Sequence, residues 1–97
     1  MIVGWLILEL RLPMNHSLKG KRQVLKSLLA RLHNRYNVAA AEVEDNDRWQ
    51  VATLGVACVS SEAQHAREIL ENVVTFVESD RLDLEIMDYA IEVSHVS

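Results

Sequence analysis

Residues 2–36 read IVGWLILELRLPMNHSLKGKRQVLKSLLARLHNRY, and the apolar period changes once inside them. From Ile2 to Leu12 the even positions Ile2, Leu6, Leu8, Leu10 and Leu12 are apolar, while the odd positions end in Glu9 and Arg11. A two-residue period of this kind predicts a strand with one buried face. Pro13 stops it, because proline has no amide proton for a sheet ladder. Ser17 then offers a hydroxyl to the free amides of a helix starting at Leu18. Leu18, Leu25, Leu28, Leu29, Leu32 and Tyr36 recur at intervals that place one apolar stripe along that helix, and Asn37 marks its end.

Working outward, Val38 to Val43 reads as a short strand. Glu44-Asp45-Asn46-Asp47-Arg48 supplies a turn, and Trp49 to Val59 returns as the second arm of a hairpin in which Gly55 marks a bulge or a close backbone approach. Ser60 or Ser61 caps a second helix with Ala66, Ile69, Leu70, Val73 and Val77 inward, ending near Ser79. Leu84 to Val96 alternates again, with Met87, Tyr89, Ile91 and Val93 on one side and Asp88 and Glu92 on the other. The order strand, helix, strand, strand, helix, strand predicts an α+β, ferredoxin-like βαββαβ fold. Right-handed crossovers then put both helices on one face of a four-stranded antiparallel sheet. The 97 residues fit one such domain over 1–97, and no metal cluster follows from the name of the fold.

Apolar residues make up 49% and charged residues 25% of the chain, the balance of a globular protein rather than of a disordered tail. Cys58 is the sole cysteine, which excludes an internal disulfide and a Cys-rich zinc or iron–sulfur site within one chain. A cytoplasmic protein is expected. The apolar opening from Ile2 to Leu8 is too short to span a bilayer and lacks the basic leader of a secretion signal, so no membrane partner is expected.

Charge is segregated. Residues 1–48 carry eight basic and five acidic groups, a balance of +3, whereas residues 49–97 stand at −7. Between Glu9 and Glu42 there is no carboxylate, yet Arg11, Lys19, Lys21, Arg22, Lys26, Arg31 and Arg35 all lie there. At 100° per residue Lys19, Arg22 and Lys26 share one flank of the first helix with His33, and Arg31 and Arg35 take the other. Gly20, Gln23, Ser27, Ala30 and Asn34 form a neutral outer strip between them. Lys19, Lys21, Arg22 and Lys26, supported by Arg31 and Arg35, are therefore the expected phosphate contacts for RNA or a ribosomal subunit. Three or four such contacts would give a salt slope of roughly −2 to −4. The alternative for these cations is pairing with the acidic face of the second helix.

Ser17-Leu18-Lys19 with Lys21-Arg22, then Asn37-Val38, Ala41-Glu42-Val43, Asp47, Trp49-Gln50, Ala52 and Leu54-Gly55, resembles the YlxP-like family of small bacterial proteins. The resemblance runs over most of the chain. It implies a ferredoxin-like domain in the bacterial cytoplasm with no assigned activity. Relatives are often encoded beside translation and ribosome-maturation factors, which implies RNA or ribosome work by association. Gly20 and Val51 depart from the more polar residues of many relatives.

With the even residues of strand one turned to the helices, Val3, Trp5 and Ile7 point the other way, joined by Trp49, Val51 and Ile86. A patch of that kind predicts a homodimer through the open sheet face or an edge strand, with Val3, Trp5, Ile7 and Trp49 at the interface. The alternative role is accordingly a structural or regulatory homodimer that binds a protein or small molecule. Base stacking on the sheet in the manner of an RNA-recognition motif is disfavoured, because Thr53 to Val59 carries no aromatic residue.

Glu42, Glu44, Asp45 and Asp47 lack the glycine and distal glutamate of a calcium loop and read as a solvated turn. His16, His33, His65 and His95 are too scattered for metal ligation. Ser17 is better used as a cap, Cys58 sits mid-strand, and no phosphate-cradling glycine loop is present, so a non-enzymatic protein without a cofactor is expected.

Overall fold

A strand flanked by partners on both sides must be apolar toward the core along its whole length, and Ile2–Arg11 (β1) has that pattern. In the computed structural model, which describes residues 1–80 and 83–97, β1 pairs antiparallel with Val51–Ser60 (β3) on one side and with Glu85–His95 (β4) on the other. Ala39–Glu44 (β2) forms a hairpin with β3 and completes the sheet order β2-β3-β1-β4. Leu18–Arg35 (α1) and Ala63–Asp80 (α2) are the two crossovers. The fold is ferredoxin-like α+β.

The buried face follows the two-residue period. Ile2, Leu6, Leu8 and Leu10 of β1 meet Ala52, Leu54, Val56 and Cys58 of β3 beneath Leu25, Leu28 and Leu32 of α1 and Ala66, Leu70, Val73, Val74 and Val77 of α2. Each large side chain taken fully from water contributes about 1.5–3 kcal/mol. Ser17 caps α1 as expected, its Oγ accepting from the Gly20 amide at 2.9 Å. The Ser60 hydroxyl accepts from Glu62 N at 3.1 Å, one residue before α2 begins, so it shapes the turn into the helix and does not cap a helical amide as expected. Tyr36 and Phe76 meet edge to face at 6.0 Å and tie the end of α1 to α2.

Two bulges break the simple alternation. Asp88 pairs with Glu9 and Ile86 with Leu10, so Met87 is the extra residue and is 52% exposed. Met87 is therefore not on the inner side of the strand, and Ile86, expected on the open face, packs against the core instead. The second bulge is at Val43, between the pairs Glu42–Leu54 and Glu44–Thr53. Val43 lies across Gly55, where an added Cβ would stand 3.0 Å from Val43 Cγ1. The Cys58 thiol is buried 3.8 Å from the Ala66 carbonyl oxygen. Burial pushes its pKa above the ordinary value against a smaller lowering by a backbone hydrogen bond from Gly4, so the thiol is an inert packing group.

Candidate functional site

Lys21 occupies a place that the apolar stripe prepares for a leucine. It lies four residues before Leu25 and seven before Leu28, and its side chain is fully buried. Its ammonium stands 2.7 Å from Glu42 Oε2 and donates to the carbonyl oxygens of Asp45 at 2.7 Å and Val51 at 3.2 Å. Two hydrogen bonds to carbonyl oxygens and an ion pair with Glu42, whose Oε2 meets the ammonium without hydrogen-bond geometry, make tolerable a charge that would be costly alone. Asp45 bends the chain with φ 63° and accepts from Thr53 Oγ1 at 2.9 Å, which fixes the turn that Lys21 reads. Lys21 is thus a strut between α1 and the β2–β3 hairpin, not a phosphate contact. The spacing 21, 25, 28, 32 was the available signal, with Glu42 on the inner side of β2 as its complement.

The same end of the sheet is joined by polar side chains. Asn15 Nδ2 donates to the Ser17 carbonyl at 2.7 Å and to the Trp49 carbonyl at 2.6 Å. Gln50 Nε2 donates to the Pro13 and Asn15 carbonyls at 3.3 and 3.1 Å, and Leu12 N donates to Gln50 O at 2.8 Å. The serine–lysine and tryptophan–glutamine motifs, distant in sequence, are therefore two halves of one junction. Gly20 belongs to it as well. It is half-buried under Asn15 and does not lie on a neutral outer strip, since any Cβ there would collide with Asn15 Oδ1.

The remaining cations divide as the helical wheel predicts. Arg31 pairs with Asp80 of α2, and Arg35 lies over the rings of Phe76 and Tyr36 at 5.1 and 6.0 Å. These two are committed to the α1–α2 seam, although the Arg31 side chain is still 49% exposed. On the other flank Lys19, Arg22 and Lys26 are exposed and take no ion pair among the described residues. Arg22, Lys26 and His33 border a hollow of about 420 Å³ with Leu25, Leu29 and Glu42. Glu42 would neutralise this flank were it free, but its charge is already met by Lys21.

The face of the sheet away from the helices is uneven. Trp5 and Ile7 line an apolar trough of about 390 Å³ with Ala39, Ala41, Val43 and Ala57. Glu9, Asp88 and Glu92 hold the β1–β4 half of the same face. Val3 is half-buried opposite Val59. Trp49 does not join this patch. It lies before Val51, whereas Trp5 pairs with Ala57, a separation of roughly 20 Å along β3 at the usual strand rise. There it borders a hollow of about 510 Å³ with Arg11, Asp47, Arg48, Gln50 and Val51. Hydrophobicity alone grouped the two tryptophans; distance along the strand separates them. Among the described residues, no three His, Cys, Asp or Glu side chains converge as metal ligands. No helix among them is long and apolar enough to cross a membrane.

A family model described as "Protein of unknown function (DUF503)" matches residues 3–91. The chain is also similar to the uncharacterized protein YlxP of Bacillus subtilis (strain 168). The two are 41% identical over 63 residues, which covers 65% of this chain and 68% of that protein.

Proposed function

The chain belongs to the DUF503 family, and from that premise we propose that it is a non-enzymatic module that binds RNA, as such or within a ribosomal subunit, through the Lys19, Arg22 and Lys26 flank of α1. What carries the reading is that these three cations are exposed and unpaired among the described residues, on a helix with no carboxylate of its own. Leu25 and Leu29 beside them form the floor of the hollow, and Gln23 and Ala30 add no opposing charge. Lys21 supports the reading indirectly, by offsetting the Glu42 charge that borders the same hollow as Arg22 and Lys26. With three phosphate contacts on a single strand the slope of log K against log salt is about −2, smaller than four contacts would give. A fluorescence titration with ribosomal RNA fragments at two salt concentrations tests this. Raising salt fourfold should weaken binding by about 15- to 20-fold, and Lys19/Arg22/Lys26→Ala should abolish most of it. Absence of binding at low salt, or unchanged binding by the variant, removes the reading.

The apolar trough favours a second reading, a homodimer joined through the open sheet face at Trp5 and Ile7. Sedimentation of wild type and Trp5→Glu separates the cases. A dimer that dissociates in the variant supports it, and a wild-type monomer at high concentration eliminates it.

A further inference from the structure

Trp49 combines a hydrogen-bonded backbone with a side chain that the fold leaves half exposed. Its carbonyl accepts from Asn15 Nδ2 at 2.6 Å, Gln50 next to it is bonded to Leu12, Pro13 and Asn15, and Arg48 N donates to Asp45 O at 3.0 Å. Yet the indole is 52% exposed at the mouth of the 510 Å³ hollow that it shares with Arg11 and Arg48. The Arg48 side chain is 65% exposed and has only a 3.7 Å contact to Asp45 Oδ1, a pair that water screens. Asp47, also at the rim, leaves the hollow with one net positive charge. An exposed indole that borders one hollow with two guanidinium-bearing side chains is the chemistry that holds an unpaired base by stacking and its phosphates by charge.

We infer that Trp49, with Arg11 and Arg48, is a stacking site for an unpaired nucleobase of single-stranded RNA. The inference rests on the RNA reading of α1 and extends the path of the strand. Asn15 bridges the Ser17 and Trp49 carbonyls, so the tryptophan adjoins the start of α1, two residues before Lys19. From Lys19 to Lys26 the helix rises about 10 Å. A strand that follows that flank and turns around the end of the sheet reaches the indole.

Trp5→Phe leaves Trp49 as the only indole, since the chain has two tryptophans. In that background oligoadenylate should quench the emission, whereas an abasic oligomer of equal length and charge should not. Trp49→Leu, which keeps the backbone acceptor for Asn15, should weaken oligoadenylate binding by about 5- to 150-fold. Trp49→Phe should restore much of it, which loss of loop structure could not explain. Arg11/Arg48→Ala should make the salt slope shallower by about 1.4. If oligoadenylate binds in a manner sensitive to Lys19/Arg22/Lys26→Ala, but Trp49 emission and the Trp49→Leu affinity do not change, the stacking site is refuted and the helix reading stands. If no RNA binds at low salt, both fall.

Discussion

Lys21→Met should destabilise the protein by about 3–5 kcal/mol, the usual consequence of removing one partner of a buried ion pair. Methionine fills much of the space and keeps the α1 stripe apolar, so packing is largely retained. What is lost is the proton supply. Glu42 Oε2 is left buried with its charge, and the Asp45 and Val51 carbonyls lose the donor on which they converge. Against a total stability of about 5–15 kcal/mol, typical of small domains, this is about a fifth or more of the whole. Urea denaturation measures it as a fall in midpoint. Lys21→Met/Glu42→Leu should recover part of the loss by removing the orphaned carboxylate, though not all, because the two carbonyls stay unsatisfied. A single-variant cost below about 1 kcal/mol would show that the ammonium is solvated in solution and that the strut does not exist.

Leu28→Ala should cost about 2–5 kcal/mol, for a different reason. Leu28 is inaccessible to solvent at the middle of the α1 stripe, between Leu25 and Leu32 and above the inner face of the sheet. Truncation removes its transfer free energy and leaves a cavity that a helix held at both ends cannot close. In a domain of this size each kcal/mol lowers the melting temperature by about 4–8 °C, so a calorimetric scan should show a drop of about 10 °C or more. The salt slope of RNA binding should not change, because the exposed flank is untouched. A melting temperature within a degree or two of wild type would contradict the packing described for α1.

The contrast between these two positions explains what could be read in advance. Leu28 was legible because periodicity reports burial directly when the residue is apolar. The Ser17 cap, the Pro13 break and the even positions of β1 were legible for the same reason, each being a local rule with one outcome. Lys21 was hidden because a lysine is assigned to solvent by its chemistry even where its spacing places it inside. Glu42, twenty-one residues later on another element, and the Asp45 and Val51 carbonyls beyond it make that position tolerable. Met87 was misplaced because Ile86 and Met87 are both apolar, so a one-residue slip left the pattern looking intact. The basic flank was half legible. Helical geometry separated Lys19, Arg22 and Lys26 from Arg31 and Arg35, but the neighbours of the second pair, Asp80 and Phe76, come from α2 and lie beyond any local window.

The bulge at Val43 has a consequence for behaviour at high concentration. β2 is a rim of the sheet, and an uninterrupted rim would offer its free amides and carbonyls to any other extended chain. Here the rim is six residues long, buckled near its end and bounded by Glu42 and Glu44. Stranger chains thus find no long straight template on that side. If copies of this protein join, the broad surface around Trp5 offers better footing than that border.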